Sequence, residues 1–320
     1  MPELPDLLHI LGKLRERLLG RRVSAERVKE PVVLRYAVRG NLSLLLGRVL
    51  EDLLRRAHFL VLRFEGLDLA VNPMLAGRFR FAEPGEKDEA ALAFALTFSG
   101  APAGRTSSPP DRDSLPGGRN LNEESDRGRG SSAAEGRRVE FEDVELRYLD
   151  DKKMGKAYLT APGDWKAIPG MESRGVDILS REFTRERFVS LLKRRRDQVR
   201  PFLLDKKALD SLGNAYADEV LFEAGIHPKT WCRSLTHDHA LRLHDAVVKV
   251  MTEAVAEVAR RDEPIEVKVR DFLKVRMKSE CPRCGSKIRK AGVRGMDAYF
   301  CPKCQPATRA GLVDWTRTGR

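Results

Sequence analysis

Four cysteines late in the chain have the spacing of a metal site. Cys281 and Cys284 form one C-x-x-C pair, Cys301 and Cys304 a second, with 16 residues between the pairs. Each pair folds a knuckle that presents two thiolates to one ion, and the segment between them has the length of a β-hairpin. Four sulfurs suit tetrahedral zinc, with an iron–sulfur or rubredoxin-like iron site as the alternative. A closed shell of four thiolates leaves no position for substrate, so one structural zinc ion is expected. The hairpin carries Arg283, Lys287, Arg289, Lys290, Arg294 and Lys303, a basic surface suited to a phosphate backbone. Cys232 stands apart and reads as a buried apolar thiol.

The bulk composition points the same way. Lys and Arg outnumber Asp and Glu by 59 to 47 among 320 residues, a formal charge of +12 that favours a polyanionic partner, nucleic acid before an anionic membrane. No stretch of 18 apolar residues suggests a membrane span, and the chain start has no basic segment followed by an apolar run. A cytoplasmic location is therefore expected, where five cysteines stay reduced and metal ligation is their better use.

These residues need elements to position them. Asp6 can cap a first helix in which Leu7, Leu11, Leu14 and Leu18 recur at helical spacing. The runs HFLVLRF, LDLAV, LAFALTF and VELRYLD read as strands of an antiparallel sandwich or barrel. In LAFALTF, Leu92, Phe94, Leu96 and Phe98 alternate with small residues and form one buried face. Residues 100–138 are rich in Gly, Ser, Pro and Arg, with seven Arg and six acidic residues that nearly cancel. They read as a disordered expansion of a hairpin loop. From Thr184 the pattern turns helical, with Phe188, Leu191 and Leu192 on one side. A Gly-Asn pair at 213–214 leads into another helix. Leu241, His244, Val248, Met251, Val255 and Val258 form the face of a further long helix.

Three segments together resemble the formamidopyrimidine-DNA glycosylase and endonuclease VIII family of base-excision repair enzymes. They are the start MPELPD, the central LGNAYADEVLFEAGIHP and the ending YFCPKCQ of the cysteine module. The resemblance implies an α+β protein: an N-terminal β-sandwich with flanking helices over 1–165, a helix–two-turn–helix domain over 180–275, a zinc-finger β-hairpin over 276–306 and a tail over 307–320. It implies a monomer working on double-stranded DNA that holds a damaged base or an abasic site, without a membrane. After Met1 removal, Pro2 would be a secondary-amine nucleophile whose attack on the sugar leaves a Schiff base, giving a DNA glycosylase with apurinic/apyrimidinic lyase activity. Glu3 would move protons at the sugar and Asp6 would support it. Asn214 would contact a DNA phosphate beside a helix N-terminus. Leu75 would fill the gap left by an everted base, and Lys152 and Lys153 would be phosphate contacts.

The chain departs from the family pattern at three positions. His58 stands where a phosphate-gripping lysine is usual, Asn72 where a histidine is common, and Met296 where an arginine clamps phosphates, with Arg294 two residues away. These changes keep a second reading open, an inactive relative that binds damaged or kinked DNA by shape. A third reading is a general zinc-finger nucleic-acid binder whose first residues match by accident.

Overall fold

The computed structural model describes residues 2–34, 41–102, 142–172, 175–210 and 212–307. Most of the insert and the end of the tail lie outside the described residues. The first helix, α1 (Leu4–Leu18), has Pro5 in its first turn and ends just before Gly20, which takes a positive φ of 83°. Its leucines do not all face one core. Leu4 packs with the helical half of the molecule, while Leu7, Ile10, Leu11, Leu14 and Leu18 pack with the sandwich. The helix therefore spans the seam between two hydrophobic cores, and the chain start lies at that seam.

The sandwich follows as β1 (Arg22–Val28), β2 (Leu50–Arg56), β3 (Phe59–Phe64), β4 (Leu67–Asn72), β5 (Arg78–Ala82), β6 (Leu92–Ser99), β7 (Val144–Leu149) and β8 (Lys156–Thr160). They make two four-stranded antiparallel sheets, β1-β6-β7-β5 and β2-β3-β4-β8. The strands that flank the insert, β6 and β7, pair directly, Phe98 opposite Val144. Strands β3 and β4 are buried on both faces. One face meets the sandwich core through Leu60, Leu62, Leu69 and Val71; the other is covered by Ile168 and Met171. That is why HFLVLRF reads as a near-continuous apolar run. The expected face of β6 needs one correction. A register shift between Leu92 and Phe94 leaves Phe94, Leu96 and Phe98 in the main core and moves Leu92 to a small cluster with Ala95 and Leu149.

The second half holds β9 (Val176–Asp177), α2 (Arg185–Lys193), α3 (Val199–Leu203), β10 (Leu209–Asp210), α4 (Asn214–Ala224) and α5 (His237–Arg261). The apolar pattern after Thr184 divides into two helices, because residues 194–198 leave the helix and Gln198 caps α3. In α5 the buried face runs through Leu243, His244, Val247, Met251, Ala254 and Val258. Val248 is exposed, so the expected face is rotated by about one residue. No described helix is long and apolar enough to cross a membrane.

The chain then forms the hairpin β11 (Arg289–Val293) and β12 (Met296–Phe300) between the two cysteine pairs. The four sulfur atoms lie within 4.8 Å of one another. Sulfur–sulfur separations of 3.8, 3.5 and 3.6 Å match the tetrahedron edge of about 3.8 Å set by a zinc–sulfur bond of about 2.3 Å. The donor set and its size therefore fit one structural zinc ion. The module grips α4: Phe222 packs with Cys281, Ile288 and Cys301, and Gln305 donates to the Ile226 carbonyl at 2.8 Å. Stripping the metal with a chelator is expected to release one zinc per chain and to lower the thermal midpoint by at least about 5 °C. A midpoint unmoved by complete zinc loss would contradict a folding role for the ion.

Candidate active site

Pro2 and Glu3 are buried at the seam. Glu3 is the N-cap of α1, with extended backbone at φ −106° and ψ 178°. Its N–H donates to Asp6 Oδ2 at 2.7 Å. Asp6 thus caps from the third helical position, inside the first turn, rather than from the cap position itself. Arg270 reaches the same carboxylate with both terminal nitrogens, Nη1 lying 2.9 Å from Asp6 Oδ1.

The Glu3 carboxyl crosses the seam to the start of α4. It accepts the Ala215 N–H at 3.1 Å and the Tyr216 N–H at 3.4 Å. This approach requires glycine at 213. A Cβ there would lie 2.2 Å from Glu3 Cδ, although the backbone at φ −114° suits any residue. The Gly-Asn pair is therefore a steric partner of Glu3 as well as a helix start. Burial pushes the Glu3 pKa up, while Arg270 and the two N–H groups pull it down, and burial wins. A carboxyl so placed holds its proton into a higher pH range and can act as an acid.

Asn214 is the first residue of α4, and its Oδ1 accepts from Arg200 Nη2 at 3.2 Å. Pro2, Glu3, Asp6 and Asn214 are thus gathered at one place. The turn with Leu75, 54% exposed, and the turn with Lys152 and Lys153 are neighbours. A Cβ at Gly77 or at Gly155 would meet the same buried Tyr148 hydroxyl, 2.0 Å away in each case. Lys152 is exposed, whereas Lys153 pairs with Glu30 at 2.7 Å. Asn72 is buried, with Oδ1 accepting the Met74 N–H at 3.0 Å, so part of its amide serves its own turn. Arg294 sits at the tip of the zinc hairpin with a positive φ and pairs with Asp197 at 2.8 Å, turned toward the α2–α3 connection. Met296 beside it is 42% exposed.

Sequence patterns gave no signal for Arg270 or Arg200. Arg270 lies in a segment without periodicity, and Arg200 sits among several arginines before a proline. Both acquire meaning only from tertiary contacts.

His58 occupies the turn between β2 and β3 and is only 3% exposed. Neither ring nitrogen has a hydrogen-bond partner among the described residues. Burial first, then Lys206 and Arg55, lowers its pKa to about 3. The imidazole is therefore neutral near pH 7. Its folded pKa lies below the unfolded value of about 6.5, so the unfolded chain takes up the proton first as pH falls. From pH 7 to pH 5 this group is expected to remove about 2 kcal/mol of stability. His58→Phe is expected to shrink the fall in melting temperature over that range; an identical fall would contradict the neutral buried imidazole.

Three family models match the chain. The formamidopyrimidine-DNA glycosylase N-terminal domain matches residues 1–109, the H2TH domain of the same glycosylase 175–262, and the zinc finger found in FPG and IleRS 278–307. The chain is similar to the formamidopyrimidine-DNA glycosylase of Symbiobacterium thermophilum, 38% identical over 170 residues that make 51% of this chain and 56% of that one. The match thus spans little more than half of that relative. Likeness to the Brevibacillus brevis protein of the same name is 27% over 316 residues, 95% of this chain and 99% of the relative. In fold, the chain resembles the Lactococcus lactis formamidopyrimidine-DNA glycosylase crystallised with DNA containing an abasic site. That likeness has a TM-score of 0.74 at 22% identity and covers 96% of this chain and 100% of that one. With three domains matched in order and the fold reproduced from end to end, the chain belongs to the formamidopyrimidine-DNA glycosylase family.

Proposed function

We propose that the protein is a base-excision repair DNA glycosylase with lyase activity, using Pro2 as nucleophile and Glu3 as proton carrier on damaged duplex DNA. The carrying observation is the buried Glu3 carboxyl, adjacent to the chain start and held by the N-terminus of α4. Removal of Met1 frees the Pro2 secondary amine, whose pKa lies far below that of lysine, leaving a useful neutral fraction near pH 7.

The Pro2 nitrogen attacks the anomeric carbon of an everted nucleotide. As the N–C1′ bond forms, the bond to the base breaks, and the base leaves with its electron pair and takes up the proton that the Pro2 nitrogen gives up. Protonation of the ring oxygen by Glu3 opens the sugar, and the Pro2 lone pair forms the iminium. Glu3, now a carboxylate, takes a proton from C2′, and the 3′ phosphate departs with the electrons of its bond to C3′. Asp6, clamped by Arg270, fixes the Glu3 backbone through its N–H. Leu75 fills the space the base vacates. Asn214, Lys152, Arg294 and Asn72 hold the DNA backbone, while His58, buried and neutral, supplies no charge where a lysine would. Acting on chromosomal DNA, the protein works in the cytoplasm as a monomer. The zinc ion holds the hairpin and takes no part in bond changes.

Met296 in the hairpin and the neutral His58 favour a second reading, recognition of damaged DNA without chemistry.

Borohydride reduction separates the two. With an abasic duplex, a covalent protein–DNA adduct is expected, cut at least about tenfold in Pro2→Gly. In Glu3→Gln, base release from a formamidopyrimidine duplex is expected to fall about 100-fold or more and to lose the wild-type decline at high pH. DNA binding with no adduct on abasic or damaged duplexes would leave recognition alone.

A further inference from the structure

Arg200 joins the start of α4 to the zinc hairpin from within the core. Its side chain is fully buried and faces an equally buried Asp218, Nε donating to Oδ1 at 2.8 Å. Nη2 donates twice, to Asn214 Oδ1 at 3.2 Å and to the Asp297 carbonyl of β12 at 3.0 Å. Arg276 completes the arrangement, donating to Asp218 Oδ2 at 2.7 Å and to the same Asp297 carbonyl at 3.3 Å. Nη1 of Arg200 is buried and has no acceptor among the described residues.

We infer that Arg200 is a positioning residue that locks the Asn214 side-chain amide with its oxygen inward and its N–H groups free for a DNA phosphate, and ties that amide to the zinc hairpin. The inference rests on the phosphate role of Asn214 proposed above. A guanidinium only donates, so the amide atom facing it is the oxygen and the NH2 must point elsewhere. Without this contact the amide can turn over, presenting an acceptor to an anion half of the time. A simple ion pair with Asp218 would not need a planar fork; a lysine would serve it. The fork instead meets three acceptors, two on α4 and one on the hairpin. The unpartnered Nη1 fits this reading, since satisfying Asp218 alone does not call for an arginine that leaves a buried donor without an acceptor. Asp218 supports the device by holding both arginines with its two oxygens.

The test uses the full zinc-loaded chain and fluorescence anisotropy on a duplex with a stable tetrahydrofuran abasic analogue, which reports binding without chemistry. Arg200→Lys and Asn214→Ala are each expected to weaken binding about tenfold, with the double variant no weaker than Asn214→Ala alone. Zinc content and melting temperature confirm the fold. The neutral pair Arg200→Met with Asp218→Asn serves if Arg200→Lys does not fold, with the same tenfold loss expected. Wild-type affinity in Arg200→Lys or in that pair, no loss in Asn214→Ala, or losses that multiply in the double variant would overturn the inference. A wild-type protein that binds the analogue but forms no borohydride adduct would instead refute the catalytic reading and leave this one standing.

Discussion

The contact on which the rest of the molecule depends is the Glu3 carboxyl lying against the first turn of α4. It joins the first residues of the sandwich half to the first residues of the helical half. The contact exists only because position 213 has no Cβ and because Leu4 anchors the start of α1 in the helical core. The remaining leucines of α1 anchor the same helix in the sandwich. The two cores therefore register against each other through one helix, and the candidate chemistry sits where they meet.

Two carboxyls share this place under different conditions. Asp6 carries the direct ion pair with Arg270, and its oxygen is committed to the Glu3 N–H. Among the described residues Glu3 has no ion pair, and its carboxyl accepts from backbone N–H groups. The helix terminus favours its ionised form, burial opposes it, and burial is the stronger effect. Asp6 is thus committed to the Arg270 pair and the Glu3 N–H, while burial raises the Glu3 pKa. The cationic side is equally divided. Arg270 and Arg200 are spent inside the protein on Asp6 and Asp218, and positions 58 and 296 hold a buried histidine and a methionine.

How much of this was legible in the sequence depended on the range of each interaction. The zinc module was legible because its ligands are local, two tight knuckles and a hairpin of defined length. Helix α1 and the antiparallel strands were legible from periodicity. The bulge that turns Leu92 aside, the break between α2 and α3, and the one-residue rotation of the α5 face were not, because packing decides them. Pro2, Glu3 and Asn214 were singled out by family resemblance, yet the reason for Gly213 appeared only when Glu3 was seen beside it. Arg200 reaches Asn214, 14 residues away, and Arg270 reaches Asp6, 264 residues away, and no pattern along the chain records such distances.

The central claim is that the seam contact sets the reactive geometry, and Gly213→Ala tests it most directly. The added methyl should force the Glu3 carboxyl from the α4 terminus while leaving both cores and the zinc module in place. With zinc content kept and the melting temperature little changed, the rate of borohydride-trapped adduct formation on an abasic duplex should fall about 100-fold. Adduct formation at the wild-type rate in a folded Gly213→Ala protein would contradict the account.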